Sequence, residues 1–334
     1  MGAKVRDIRR RIRSVRSTQQ ITRAMELIAA SRIVRAQSRA LRARPFAQAI
    51  GEMLEMVAGE ARGSPLLEER EVATTGLVVV TSDRGLCGAY NANVLREAER
   101  LRRREAEAGH AVAITAVGKK AISYFRFRKV PMTAQFMGVS DTPRYGDARR
   151  IAEGVIRAYG DKQVDRVVIA YTDFVSTFLQ RARVTQILPV PRPRSGAGAG
   201  PPGEGAPRAL FDFEPEPAEL LRGLLPRYME VKLFAALLES SASEHAARRR
   251  AMKNATDNAD DLLRDLTRDV NRARQAEITS ELADLVGAAE ALRGSGGDEG
   301  THGAGSPLAG AARWHGDAEA LAGARATEAM RGKV

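Results

Sequence analysis

The segment Ser82–Asn91, SDRGLCGAYN, holds the residue types best suited to chemistry. It contains the chain's single cysteine, Cys87, and follows an apolar run, where α/β proteins place ligand loops. It matches neither GxGxxG nor GxxxxGK[ST], and no histidine lies nearby in the sequence to activate a thiolate. The pattern favours a tight strand-to-helix turn with a small buried thiol. A phosphate cradle and a cysteine-dependent α/β enzyme are the alternatives.

A second segment with glycine and lysine, Val117–Lys120, follows another apolar run. Glycine followed by lysine after a strand is typical of a phosphate-binding loop, but the upstream glycine and the following Ser or Thr are missing. We therefore interpret this segment as a turn with solvated lysines.

Metal-ligating residues are few and scattered. The chain has one cysteine and four histidines, His110, His245, His302 and His315, without the spacing of a known metal motif. One cysteine also excludes an internal disulfide and is typical of a reducing compartment. We predict no metal site, no cofactor and no catalytic residue.

Positive charge is the strongest compositional feature. Lys and Arg outnumber Asp and Glu by 53 to 41, for a formal charge of +12. Many arginines lie near the N-terminus, at Arg6, Arg9, Arg10, Arg11, Arg13, Arg16, Arg23, Arg32, Arg35, Arg39 and Arg42. An acidic protein explains this excess as well as nucleic acid does, and no aromatic residues interleave for base stacking. A second basic cluster, Arg248–Arg250 with Lys253, suggests a shaft with two basic bands inside an acidic or alternating collar.

These basic bands lie on segments with long helical patterns. Small or apolar residues recur every seven positions in the first domain, residues 1–62, at Ile8, Val15, Thr22, Ala29, Ala36, Ala43, Ile50 and Val57. Such a series predicts lengthwise packing against another helix. At about 1.5 Å per residue the first helix would be roughly 80 Å long, with a kink or interruption at Pro45.

The middle of the chain, residues 72–190, predicts an inserted α/β domain. Apolar, β-branched runs alternate with helical segments, a pattern typical of a mostly parallel sheet. The predicted strands are Thr75–Ser82, Ala111–Val117, Val130–Phe136 and Val164–Asp173, with an edge strand at Thr185–Leu188.

The rest of the chain divides by composition. Residues 191–216 predict a loop rich in Pro and Gly, and residues 217–292 predict the second long helix, restarting at Pro226. Residues 293–334 predict a disordered tail. No apolar run approaches the roughly 20 residues of a membrane helix, and no secretory signal is present.

Three stretches of the sequence resemble the γ subunits of F-type ATP synthases. They are GAKVRDIRRRIRSVRSTQQITRAMELIAASRIVRAQ (Gly2–Gln37), TSDRGLCGAYN (Thr81–Asn91) and AMKNATDNADDLLRDLTRDVNRARQAEITSEL (Ala251–Leu282). They occur in the family's order over about Gly2–Leu292. The fold that the resemblance implies is α/β, with two long terminal helices forming an antiparallel coiled coil and an inserted Rossmann-like parallel-sheet domain.

The resemblance also implies sites, carried over by motif position. Arg23 and Met25 match the region where the family's shaft meets acidic lever segments of the β subunits. Farther along the shaft, the region that loops of the β subunits grip is matched by Arg272, Arg274, Gln275, Thr279 and Glu281. The foot-domain turn is matched by Ser82, Asp83, Arg84, Gly85, Leu86, Cys87 and Gly88. Arg249 departs from the family, which commonly has Met there, and so does the tail beyond Leu292.

The function implied is that of a central rotor shaft, which transmits torque between a membrane c ring and a ring of three α and three β subunits. Catalysis would reside in the β subunits, and the chain would regulate ATPase activity and proton flow. Expected partners are the α, β and ε subunits and the c ring, at the cytoplasmic face of a bacterial cell membrane, with no nucleic acid. The alternative is a basic coiled-coil nucleic-acid-binding protein.

Overall fold

The structure, a computed structural model, describes residues 3–58, 65–67, 70–190 and 216–294. It divides into two compact units, Met1–Arg274 and Gln275–Val334. The helices are α1 (Ala3–Ala58), α2 (Tyr90–Glu107), α3 (Lys119–Phe127), α4 (Tyr145–Gly160) and α5 (Pro217–Gly294). The strands are β1 (Thr74–Val80), β2 (Ala111–Val117), β3 (Ala134–Phe136), β4 (Arg166–Phe174) and β5 (Gln180–Leu188).

The five strands form one sheet in the order β3-β2-β1-β4-β5. All neighbouring pairs are parallel except β4 and β5, which are antiparallel. Alternate residues of each strand face opposite hydrophobic layers, as the pleat requires. Val78 and Val80 face the layer that contains α4 and parts of α1 and α5, whereas Leu77 and Val79 face the layer of α2 and α3.

Within the first unit, α1 and α5 pair antiparallel. Thr22 of α1 hydrogen-bonds Thr256 of α5 at 2.8 Å between the hydroxyl oxygens. Farther along α1, Leu54 shares a hydrophobic cluster with Leu225, which lies much earlier in α5. The seven-residue series supplies the seam, because its members Thr22, Ala29, Ala36, Ile50 and Val57 are buried. The predicted fold class is confirmed.

Several predicted details were wrong. Pro226 lies inside a continuous α5, so the predicted restart is wrong. The helix α1 continues through Pro45, so the predicted interruption is wrong there, whereas the kink stays a prediction. A proline removes one helical hydrogen bond, and tertiary packing around it can still hold the helix together. The third strand is limited to Ala134–Phe136, and the edge strand is longer than predicted, Gln180–Leu188.

Other predicted segments lie outside the described residues. These are the loop at 191–216, apart from Glu216, and the tail at 293–334, apart from Arg293 and Gly294. No helix among the described residues has the length and apolar character to cross a membrane.

Candidate functional site

The segment Ser82–Gly88 forms a turn, here called the β1 turn, at the carboxyl end of β1. Gly88 has a φ of +56° and Leu86 a φ of +61°, a conformation that a residue with a side chain seldom adopts. The amide of Ser82 donates to Asn91 Oδ1 at 2.9 Å, which ties the turn to the first residues of α2. A strained, exposed leucine on a tightly bonded turn is a candidate contact residue.

Asp83 fastens the β1 turn to the segments that follow β2 and β3. Its carboxylate accepts the amide of Lys119 at 3.0 Å and the amide of Ser140 at 3.1 Å. Its own amide donates to Ser140 Oγ at 2.9 Å. The turn is therefore held firmly at the carboxyl end of the sheet.

The segment Val117–Lys120 forms a second turn at the carboxyl end of the sheet, between β2 and α3. Gly118 has a φ of +93°, and a Cβ there would lie 2.2 Å from the carbonyl oxygen of Thr81. The glycine is thus required by a close backbone approach. The interpretation of this segment as a turn is confirmed.

Arg248 of α5 contacts the β1 turn from the helix side. Its Nη2 lies 3.3 Å from the carbonyl oxygen of Gly85 and 3.5 Å from that of Arg84. The same nitrogen donates to Glu244 Oε1 at 2.7 Å. Burial raises the pKa of Glu244, and the adjacent guanidinium opposes that rise. A buried ion pair of one helix therefore holds a turn of the sheet domain.

The second predicted basic band is wrong for one of its four residues, Arg248. Arg248 is buried, and Arg250 donates to the carbonyl oxygen of Phe178 at 2.8 Å and to Gln180 Oε1 at 3.0 Å. Arginine carries five donors in a fixed fork, which suits it to bind several acceptors of another element. Of this cluster, Arg249, Arg250 and Lys253 are exposed, and Arg248 alone is buried.

Cys87 is buried inside the β1 turn. Burial raises the pKa of its thiol, with a smaller opposing effect from the Ser82 hydroxyl. Its polar contacts within the described residues are Ser82 Oγ at 3.7 Å, Asn91 Nδ2 at 3.1 Å and the Arg84 carbonyl oxygen at 3.9 Å. None of these groups is a general base, and a raised pKa disfavours the nucleophilic thiolate. The environment is that of a structural cysteine.

The structure brings one of the predicted shaft residues to the β1 turn. Met25 of α1 is partly buried and lines a cavity of about 290 Å³ together with Ile28, Arg84 and Leu86. Arg23 lies exposed on the same helix. Met25 and the turn therefore form one continuous surface, here called the α1–turn crevice.

The remaining predicted residues lie elsewhere on α5. Arg272 and Arg274, in the first unit, are exposed. In the second unit, Gln275, Thr279 and Glu281 are exposed, and the Thr279 hydroxyl donates to the carbonyl oxygen of Gln275 at 2.9 Å. The structure therefore leaves these side chains available to a partner.

Glu244 and Arg248 were missed as site residues. Their spacing of four residues on a predicted helix was a signal for an ion pair. Within the described ranges, no group of three or more His, Cys, Asp or Glu side chains is arranged to hold a metal ion. The site consists of the β1 turn, the α1–turn crevice and the buried Arg248–Glu244 ion pair, here called the Arg248–Glu244 clamp. This arrangement is suited to binding a partner protein and to transmitting force between the helix and the sheet.

Comparison with known proteins gives a consistent result. A family model described as ATP synthase matches residues 4–292. The ATP synthase gamma chain of Acidothermus cellulolyticus is 46% identical over 304 residues, covering 89% of this chain and 100% of the relative. These matches do not support the nucleic-acid alternative.

Two solved structures are also similar. One is the central stalk and c ring of the Tetrahymena thermophila mitochondrial ATP synthase, with 27% identity, a TM-score of 0.52, and coverage of 70% of this chain and 99% of that chain. The other is the Euglena gracilis mitochondrial ATP synthase, with 19% identity, a TM-score of 0.64, and coverage of 92% and 100%. At 19% identity the second likeness concerns the fold alone.

Proposed function

Since the chain belongs to the family of ATP synthase γ chains, we propose that it is the central rotor of a proton-translocating ATP synthase. In this role it transmits torque between the c ring in the membrane and the catalytic ring of three α and three β subunits. The observation that carries the proposal is this family membership over residues 4–292. The grip of the Arg248–Glu244 clamp on the β1 turn adds support, because torque requires the sheet domain and helix pair to turn together.

The chain is proposed to be a non-catalytic subunit that regulates ATPase activity and proton flow, while ATP chemistry resides in the β subunits. The buried Cys87 thiol, with its raised pKa, is poorly suited to nucleophilic catalysis. A rotor needs stiffness and defined contacts. Small buried residues between α1 and α5 let the two helices pack closely, which stiffens the helix pair.

Contacts with the β subunits are proposed at two places. The first is the α1–turn crevice with Arg23, where apolar Met25 and Leu86 lie beside positive side chains suited to an acidic lever segment. The second is the exposed pair Arg272 and Arg274 on α5. In the second unit, the exposed Gln275, Thr279 and Glu281 are proposed as contact residues in their own right.

The proposed assembly also includes the ε subunit and the c ring. It would place the chain at the cytoplasmic face of a bacterial cell membrane, peripheral to the bilayer and held there by the complex. Support comes from the bacterial relative, named ATP synthase gamma chain, which this chain covers over its full length.

Co-purification and reconstitution test the proposal. The tagged chain is purified from solubilised membranes, and its partners are identified by mass spectrometry. We expect α, β, ε and c subunits, no ATPase activity from the chain alone, and coupled ATP synthesis once it joins the complex. Recovery with nucleic acid and without α and β would overturn the proposal.

A further inference from the structure

One loop residue of the sheet domain, Asp141, contacts both long helices. On the α1 side, Arg32 Nη1 donates to Asp141 Oδ2 at 2.6 Å and also to Oδ1. On the α5 side, the Ser241 hydroxyl donates to the Asp141 carbonyl oxygen at 3.2 Å. His245 Nε2 lies 3.3 Å from the same carbonyl oxygen. The loop between β3 and α4 is therefore bonded to two elements from opposite ends of the chain.

The backbone that carries Asp141 is itself fixed to the sheet. Its neighbour Ser140 is buried and exchanges two hydrogen bonds with Asp83 of the β1 turn, at 2.9 and 3.1 Å. On the other side, Arg144 is the N-cap of α4, where its amide donates to Asp147 at 3.0 Å. A short loop anchored at both ends has little freedom to follow the helices independently of the sheet.

Two other ties from α5 to the sheet domain reach different loops. Arg248 reaches the β1 turn, and Arg250 reaches the segment between β4 and β5. Asp141 adds a bond to α1, so that the sheet domain is held on both members of the helix pair. This bond adds a polar tie to the apolar packing of Leu54 and Val57 of α1 against the sheet.

We propose that Asp141 is a positioning residue that couples the sheet domain to α1 and α5 together. This inference rests on the proposed rotor function. The side chains of Arg32 and Asp141 are 38% and 32% exposed, so their ion pair contributes little to folding stability. Its proposed role is to connect the loop of the sheet domain to α1.

The first test measures coupling in the assembled complex, as protons pumped per ATP hydrolysed in vesicles. Asp141→Ala should lower this ratio about twofold or more, because a loop freed from α1 lets part of the hydrolysis proceed without pumping. Asp141→Glu should recover most of the loss, because the carboxylate can still reach Arg32. The control is Asp257→Asn, which removes an exposed pair with Lys253 within α5. An unchanged ratio in Asp141→Ala would overturn the inference.

The second test replaces the tie by a covalent one and does not depend on a destabilised variant. Arg32→Cys and Asp141→Cys are combined with Cys87→Ser, and the two thiols are joined by a short, reducible bis-methanethiosulfonate reagent in the full complex. Coupled turnover of the cross-linked complex should lie within about twofold of the parent complex, because a static tie tolerates a permanent bond. It should also lie at least about twofold above the same sample after reduction, because the reduced double variant lacks the tie. A loss of turnover that reduction restores would show that the loop moves against α1, and would overturn the inference. A parent complex that does not couple hydrolysis to pumping would instead overturn the rotor proposal.

Discussion

The Arg248 guanidinium lies 2.7 Å from the carboxylate of Glu244, one helical turn earlier on α5, and both side chains are buried. Because the same guanidinium reaches the carbonyl oxygens of Arg84 and Gly85, the pair is the point where helix and sheet edge meet. Glu244 therefore orients Arg248 and balances its charge in a place that water reaches poorly.

Glu244→Gln should be strongly destabilising, because it leaves a buried guanidinium without a counter-charge. We expect a loss of about 3–5 kcal/mol in the free energy of unfolding, measured by urea denaturation of the full chain. The matched control is Asp261→Asn, which removes the exposed partner of Arg264 and should cost less than about 1 kcal/mol. Equal losses in the two variants would mean that the buried Arg248–Glu244 pair contributes no more to the free energy of unfolding than an exposed pair.

Gly118→Ala should disrupt the sheet edge. The new Cβ would lie 2.2 Å from the carbonyl oxygen of Thr81, at a φ of +93° that alanine rarely adopts. We expect a loss of at least about 3 kcal/mol, seen as insoluble expression or a large fall in the unfolding midpoint.

The control for that substitution is Gly154→Ala, inside α4, where a Cβ meets nothing within 4 Å. It should stabilise the chain by about 0.5–1 kcal/mol, since alanine favours a helix interior over glycine. Two glycines of the same domain are thus predicted to respond with opposite signs. A soluble Gly118→Ala chain of parental stability would contradict the close approach.

The Cys87 thiol should react slowly with an aromatic disulfide reagent in the folded chain. It is buried and its pKa is raised, so both access and the thiolate fraction are low. We expect a rate at pH 7.5 at least about 100-fold below that of the urea-unfolded chain. Because the sequence has one cysteine, the optical signal belongs to this site. Comparable rates in both states would revive the cysteine-dependent alternative.

Much of the fold could be predicted because its strongest features are periodic. The seam of α1 repeats every seven residues, and β1, β2 and β4 are apolar on both faces. The strand β5 was shortened in the prediction because only its last residues, Ile187 and Leu188, are buried. Its earlier side chains alternate between partly buried and exposed, because β5 is the outermost strand of the sheet. The sequence of such a polar edge strand is hard to distinguish from that of a loop.

The candidate site was predictable only in part. Glycines and a cysteine after a strand marked the β1 turn. A buried arginine, however, looks the same in a sequence as a solvated one, so Arg248 was placed on a basic surface. Its acceptors, the carbonyl oxygens of Arg84 and Gly85, lie more than 160 residues away and are backbone atoms, which no residue type reveals.

Met25→Glu should alter coupling while leaving assembly largely intact. Met25 lines the α1–turn crevice beside Ile28 and Leu86, and a carboxylate there would repel the acidic segment that we propose as its partner. We expect a several-fold fall in protons pumped per ATP hydrolysed, with Met25→Leu as the volume-conserving control. If Met25→Glu changes neither the rate nor the coupling, the proposed contact with the β subunits is wrong.

The stability of the chain should fall in mild acid because of His245. Its ring is buried, with Nε2 3.3 Å from the Asp141 carbonyl oxygen and Nδ1 3.4 Å from Arg248 Nη1, an arrangement that fits a neutral ring. Burial lowers the pKa of His245 below its ordinary value of 6.5.

The sign of this effect follows from proton uptake. As the pH falls below about 6.5, the unfolded chain protonates this histidine while the folded chain does not, so the unfolded state binds more protons and stability decreases. The contribution is present above pH 6.5 and is lost as the pH falls toward the lowered folded-state pKa. His245→Gln should flatten the unfolding free energy between pH 7 and 5, measured by urea denaturation at several pH values. Arg32, Asp141, Glu244 and Arg248, which carry the charges around the ring, are present in both chains, so the difference in slope isolates the histidine. Identical slopes would mean that the pKa of His245 is the same in the folded and unfolded chains, and would contradict the proposed effect of burial.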